Sequence, residues 1–286
     1  MPSAREINRR IKSVTNTQQI TKAMKMVSSV RLRHAQERAM ATAPFTNRIE
    51  GLLQRLSAAL PGNNDPFFKQ REVKRTCYII IGSDKGLAGA FNSNINKAIV
   101  AELKDKPRDS VAIITIGNKP AEYLKHLRVT PAHREGGYSD KPDFIHARRL
   151  AALVTKEYLA GTYDEVYVIY THFRTVLSQD VRKVKLLPIA SSTTADKTAP
   201  QGEYLFAPDA EHVMSTLLPQ YFNMVIYNGM LQSAASELGA RMTAMTAATD
   251  NAGELIEKLT VNYNKVRQAG ITNELTEIVS GANALQ

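Results

Sequence analysis

Tryptophan is absent from this 286-residue chain, and aromatic residues make up only 7% of it, which argues against an aromatic-rich sandwich or barrel core. Cysteine occurs once, at Cys77, which excludes an internal disulfide framework and any CxxC-type zinc site. No run of about 18 apolar residues occurs, so no transmembrane helix is expected. The opening MPSAREINRRIKS has no apolar stretch of the secretory kind, so a reducing, cytosol-facing location is expected. Catalytic patterns are missing too. The histidines (His34, His126, His133, His146, His172, His212) form no HxxxH or HExxH pair, and no GxSxG elbow is present. Neither a metal nor a cofactor is expected.

Hydrophobic residues nevertheless reach 43%, enough to exclude wholesale disorder, and the length suits roughly two domains. Charge is unevenly placed. Residues 1–56 hold eleven Lys/Arg against three Asp/Glu, a net of +8, whereas residues 209–286 hold four against eight, a net of −4. The first segment therefore calls for an anionic partner, or the two ends attract each other.

Both ends read as long helices. Ser3 stands three residues before Glu6, the capping-box spacing, and Ile7, Ile11 and Val14 begin an apolar stripe. The stripe lapses over TNTQQ (residues 15–19) and is expected to resume at Ile20, Met24 and Val27. Pro44 should kink or interrupt this helix, which ends at PGNN, residues 61–64. The last segment starts after Asp209, a plausible N-cap, with Pro219 expected to bend it. Its alternate steps of three and four run Met214, Leu217, Tyr221, Met224, Asn228, Leu231, Ala235, Leu238, Met242, Met245, Thr249, Ala252, Ile256, Leu259, Tyr263, Val266. A 3.5-residue period this long predicts a left-handed coiled coil. Folding the chain ends together antiparallel supplies the partner; a homodimeric coil is the rival. At 1.5 Å per residue, helices over 3–60 and 209–284 span ~87 Å and ~114 Å, so about residues 268–286 should overhang. That tip has Ile271, Leu275, Ile278, Val279 and Leu285 and, from residue 268 on, neither Lys nor Arg. Bare apolar helix of this kind needs a sleeve from another protein.

Between residues 73 and 200 the pattern alternates. Buried-strand runs at 75–81, 111–116 and 165–170, an edge strand near 181–189, and helices at 92–103, 118–127 and 144–159 predict a doubly wound, mostly parallel α/β sheet. The expected organisation is thus 1–60 and 209–286 as coiled-coil helices around a 73–200 α/β domain. The loop GSDKGLAG (82–89) follows the first strand but matches neither GxxxxGK[ST] nor GxGxxG, so its glycines read as structural. Asp84 and Lys85 are then free to pair with a partner subunit. Cys77, inside an apolar strand, reads as a buried core thiol.

Three functions compete on these features: a nucleic-acid binder using the basic arm, a nucleotide-dependent enzyme using the α/β domain, and a mechanical or scaffolding subunit. The arm has no aromatic before Phe45 for base stacking, and the enzyme lacks a phosphate motif. The mechanical subunit fits the long asymmetric helices best.

Four stretches carry a family resemblance: IKSVTNTQQITKAMKMV (11–27), SDKGLAGAFN (83–92), ARMTAM with ATDNA (240–245, 248–252), and YNKVRQAGITNELTEIVSGA (263–282). They resemble the gamma subunit of F-type ATP synthases over essentially the whole chain. The resemblance implies a rotating central shaft whose terminal helices coil inside a ring of alpha and beta subunits. Its α/β foot would bind the epsilon subunit and the c-subunit ring. Catalysis would belong to beta, with one copy of this chain per complex, no nucleic acid, and a place on the cytoplasmic face of a bacterial plasma membrane. By position, Met24 would face an acidic lever of beta, with Lys22 and Lys25 beside it. Arg241 and residues 268–277, including Gln268, Thr272, Glu274 and Glu277, would act with the Met24 region. Arg267 and Gln268 would form a catch on a beta loop.

Overall fold

A computed structural model describes residues 3–59, 65–104, 106–189 and 209–284. Helix α1 (Ala4–Ala59) and, after the middle segment, helix α5 (Ala210–Ala284) are the two long elements. Between them come β1 (Thr76–Ile81), α2 (Phe91–Leu103), β2 (Val111–Ile116), α3 (Asn118–His126), β3 (His133–Glu135), α4 (Phe144–Leu159), β4 (Glu165–Phe173) and β5 (Gln179–Leu187). The expected turn at residues 61–64 and the loop at 191–202 lie outside the described residues.

The sheet order is β3-β2-β1-β4-β5, with the first four strands parallel and β5 antiparallel to β4 at the edge. β1 is central and buried along its whole length, which its unbroken CYIII run requires. Its side chains alternate between two cores. Tyr78 and Ile80 meet Ile95 and Ile99 of α2 and Leu124 of α3 on one face. Cys77, Ile79 and Ile81 face Leu150 and Val154 of α4, Ile49 and Leu53 of α1, and Phe222 and Met230 of α5. The sheet is therefore doubly wound, but the long helices themselves supply part of one covering layer. α5 approaches closely because of Gly229, where a Cβ would lie 3.1 Å from Ile81 Cδ1. Ser233 then donates to the Ile81 carbonyl (3.4 Å), and Ser236 to the Thr171 carbonyl (3.1 Å).

The chain divides into two compact units, Met1–Ser28 with Met242–Gln286, and Ser29–Arg241. In the first, Thr21 meets Thr249 while Gln18 meets the residues Thr249 and Gly253, so the two helices run antiparallel. Every position of the three-and-four register on α5 is buried or half-buried.

Two expectations for α1 need correction. Ile20 and Val27 are 60% and 52% exposed, so the seam does not pass through them. Instead the phase set by Ile7, Ile11 and Val14 continues without a shift through Gln18, Thr21 and Ser28 to Leu32, Ala35 and Ala39. The seam is polar where the sequence pattern lapsed, and the apolar residues nearby lie off it. The second is the interruption allowed for at Pro44, which does not occur; α5 likewise runs on through Pro219. Each removes one backbone donor, but the buried stripe continues on both sides of it. The expected caps form: Asp209 accepts from His212 N (2.7 Å), and Ser3 from Glu6 N (3.3 Å). β3 was not anticipated; three residues with two basic side chains carry no strand pattern.

Candidate functional site

Residues named on grounds of resemblance fall in three places. Lys22 is exposed and Met24 and Lys25 are half-buried, flanking the polar layer of the seam. In that layer the Thr21 and Thr249 hydroxyls lie 2.8 Å apart, each also within reach of a carbonyl of its own helix (Gln18, 3.0 Å; Met245, 2.7 Å), and Gln18 Nε2 donates to the Thr249 carbonyl (3.3 Å). These contacts favour one register between the helices, because sliding by one turn would break the Thr21–Thr249 and Gln18–Thr249 bonds across the seam. With equal rise along both helices, this register sets Val14, Ile11 and Ile7 opposite Ile256, Leu259 and Tyr263.

Partners for α5 run out beyond that point. Residues 271–281 are all exposed, with Ile271, Leu275, Ile278 and Val279 each at 50% or more. Arg267, Gln268, Thr272, Glu274 and Glu277 are exposed as well. Arg267 lies over the Tyr263 ring of its own helix (5.9 Å), and Thr272 donates to the Gln268 carbonyl. The structure thus gathers these five residues on one bare helical segment.

Arg241 differs from all of them. It is buried, bonded to Glu237 (2.7 Å) and to the Gly86 carbonyl (3.1 Å), so it is not part of a solvated face. Burial pushes the Glu237 carboxyl up, opposed by the Arg241 charge. The i,i+4 spacing of Glu237 and Arg241 was the available sequence signal, but nothing in it announces burial. Nearby, Asp140 receives Arg31 of α1 and, at 3.5 Å, Lys85. A cleft of about 670 Å³ opens here, lined by Arg31, His34, Arg38, Lys85 and Lys141 around that one carboxylate, with Leu231 among its apolar walls. The excess of cations suits an acidic partner.

Asp84 is turned inward. Its carboxylate accepts from Asn118 N (3.1 Å), at the start of α3, and from Ser139 N (2.9 Å). Burial pushes this carboxyl up, but backbone N–H groups of Gly137, Ser139 and Asn118 and the Ser139 hydroxyl outweigh it and hold it below the usual range. A helix start beside the carboxyl ends of parallel strands is where such folds hold phosphate. Here the protein's own carboxylate takes that place. The loop glycines serve shape: a Cβ at Gly82 would sit 2.3 Å from Pro120 Cγ, and Gly89 has φ 53°. Lys85 remains exposed.

Cys77 is fully buried and its thiol is pushed up to about 12 by burial, so it is a core residue. Among the described residues no group of three or more His, Cys, Asp or Glu is placed to hold a metal ion, and no helix is long and apolar enough to cross a membrane.

Comparison with known proteins converges on one family. The sequence model described as ATP synthase matches residues 3–285. ATP synthase gamma chains of Desulforamulus reducens and Heliobacterium modesticaldum are 45% and 43% identical, each aligned over 100% of both chains. Among solved structures, a chain of the central stalk and c-ring of Tetrahymena thermophila mitochondrial ATP synthase is similar, with 28% identity. The match covers 80% of this chain and 99% of that one, at a TM-score of 0.62. A chain of the Euglena gracilis mitochondrial ATP synthase shares the fold at TM-score 0.70 and 18% identity, covering 99% and 94%. By identity along its whole length, then, the chain belongs to the ATP synthase family, among the gamma chains.

Proposed function

We propose that this chain is the central-stalk rotor of its ATP synthase, carrying torque between a membrane ring of c subunits and a catalytic ring of alpha and beta subunits. The observation that carries the reading is the solvent-exposed segment 271–281 near the end of α5, with its four large aliphatic side chains, in a chain that aligns with a gamma chain along that relative's whole length. Four large aliphatic side chains on an unpaired helix are unfavourable in water and call for a protein sleeve. As a subunit of an ATP synthase it is a peripheral part of a membrane-bound complex.

The finer roles are part of the proposal. Catalytic residues lie on beta, and this chain supplies none. Its foot binds epsilon and the c-ring on the cytoplasmic side of a bacterial membrane, one copy per complex, coupling proton flow to ATP synthesis or hydrolysis. Met24, Lys22 and Lys25, with Lys85 and the basic cleft around Asp140, meet acidic levers of beta in turn. Exposed ion pairs are worth only about 0–1 kcal/mol each, so a shaft can exchange one set for the next without locking. Arg267, Gln268, Thr272, Glu274 and Glu277 contact the upper part of the ring. The inward-facing Asp84 and the gamma-chain relatives leave a nucleic-acid or nucleotide-enzyme reading without support.

Co-expression with the alpha, beta and epsilon subunits of Desulforamulus reducens tests this, using an affinity tag on beta. The chain should co-elute with all three at one copy per complex, without nucleic acid. Elution of an alpha–beta complex lacking this chain, or its retention only on nucleic acid, contradicts the reading.

A further inference from the structure

The end of the sheet where the parallel strands begin carries a second charged cleft, unrelated to the surfaces above. It has a volume of about 370 Å³ and is lined by Arg75, Arg108, Arg128 and Thr130, with Val129 on one wall and Asp109 the one acid among its described lining residues. The three arginines come from separate places: the lead into β1, the 3-10 turn before β2 (Arg108–Ser110), and the turn after α3. They face the opposite end of the sheet from the loop that Arg241 grips.

Two features separate this cluster from ordinary surface charge. First, among the described residues none of the three arginines is ion-paired, Arg75 lying only over the Tyr163 ring (5.9 Å), whereas Arg149, Arg174 and Arg182 on the same body each hold a carboxylate. Guanidiniums that line one cleft repel one another until an anion joins them. Second, Arg128 stands where glycine is favoured. Helix α3 ends in a full Schellman motif, with Val129 N bonded to the Leu124 carbonyl (3.0 Å) and Arg128 N to the Lys125 carbonyl (3.1 Å). The residue between must adopt the left-handed conformation, and Arg128 does so at φ 56°. Arg108 Nη1 reaches the carbonyl of that same residue (3.5 Å), steadying its own fork. A side chain kept at a position that disfavours one points to use of the side chain.

We propose that Arg75, Arg108 and Arg128 form an anion site for a phosphate group, gripping its oxygens with planar guanidinium forks while Thr130 offers a hydroxyl. Guanidinium forks match phosphate geometry in pairs, and the open cleft accepts a group attached to a larger body. The same chemistry is found on acidic phospholipid headgroups and on soluble phosphate compounds.

The test uses the full chain at about 0.15 M salt, near physiological screening, with two probes: inorganic pyrophosphate by calorimetry, and flotation with phosphatidylglycerol vesicles against phosphatidylcholine vesicles. The triple variant Arg75→Gln, Arg108→Gln, Arg128→Gln should weaken binding at least tenfold. A charge-matched control, Lys97→Gln, Arg148→Gln, Lys156→Gln, should stay within twofold of the native chain. Binding of vesicles with this arginine dependence identifies a lipid headgroup as the source; binding of pyrophosphate alone identifies a soluble phosphate. Arg128→Gly should weaken binding while leaving the melting midpoint unchanged or higher. The proposal is overturned if neither probe binds, if both triple variants lose binding equally, or if Arg128→Gly lowers the midpoint and leaves binding intact.

Discussion

The hydroxyls of Thr21 and Thr249 meet at 2.8 Å across the antiparallel seam, joining residues 228 positions apart in the chain. Thr21 is buried and Thr249 half-buried, so each relies on the other for its contact across the seam, while a carbonyl of its own helix, Gln18 or Met245, is within reach as well. Replacing either one alone with Val should cost about 1 kcal/mol, and replacing both should cost less than the sum, with a coupling of about 0.5–1 kcal/mol. Denaturant melts of the two single variants and the double variant measure it. Simple additivity would mean the pair does not set the register.

Glu237 and Arg241 make a harsher version of the same dependence, since both are charged and buried. Arg241→Leu leaves a buried carboxylate without its partner and should destabilise the Ser29–Arg241 unit by about 3–5 kcal/mol. Glu237→Leu combined with Arg241→Leu should recover much of that loss. Thermal unfolding decides: a double variant as unstable as the single would place the cost in the lost Gly86 contact instead.

These two pairs mark where the sequence could and could not be read. The α5 register was legible because Met245, Ala252, Ile256 and their neighbours repeat every 3.5 residues without a slip, and β1, β2 and β4 were legible as short apolar runs. The α1 seam was misplaced at Ile20 and Val27 because hydrophobicity was the guide, whereas packing there selects Thr21 and Ser28. Burial of Arg241 depends on Gly86, 155 positions away, and no local pattern encodes that meeting. The inward turn of Asp84 likewise needs Ser139 and Asn118, which only the fold brings to it.

Asp84 leads to a pH prediction. Its folded carboxyl titrates below the ordinary carboxylate range, so the stability it contributes is present at neutral pH and is lost as pH falls through that lowered value. Asp84→Asn should cost about 1–2 kcal/mol at pH 7, and the gap from the native chain should shrink on the acid side. A pH series of urea midpoints shows whether the two curves converge; parallel curves would contradict the internal-anion role.

Cys77 should be inert to iodoacetamide at pH 8 in the folded chain, since its thiol is buried and pushed up to about 12. Modification should appear only on unfolding. Fast labelling of the native chain would mean that β1 is not the closed centre of the sheet.

Rotation itself is the most direct test of the central claim. Lys104 is exposed at the end of α2, and Lys104→Cys supplies one accessible thiol for a bead while Cys77 stays buried. In a surface-fixed complex with alpha and beta subunits, ATP should drive stepwise rotation of the bead in one direction. Sustained ATP hydrolysis beneath a bead that only jitters in place would contradict the account.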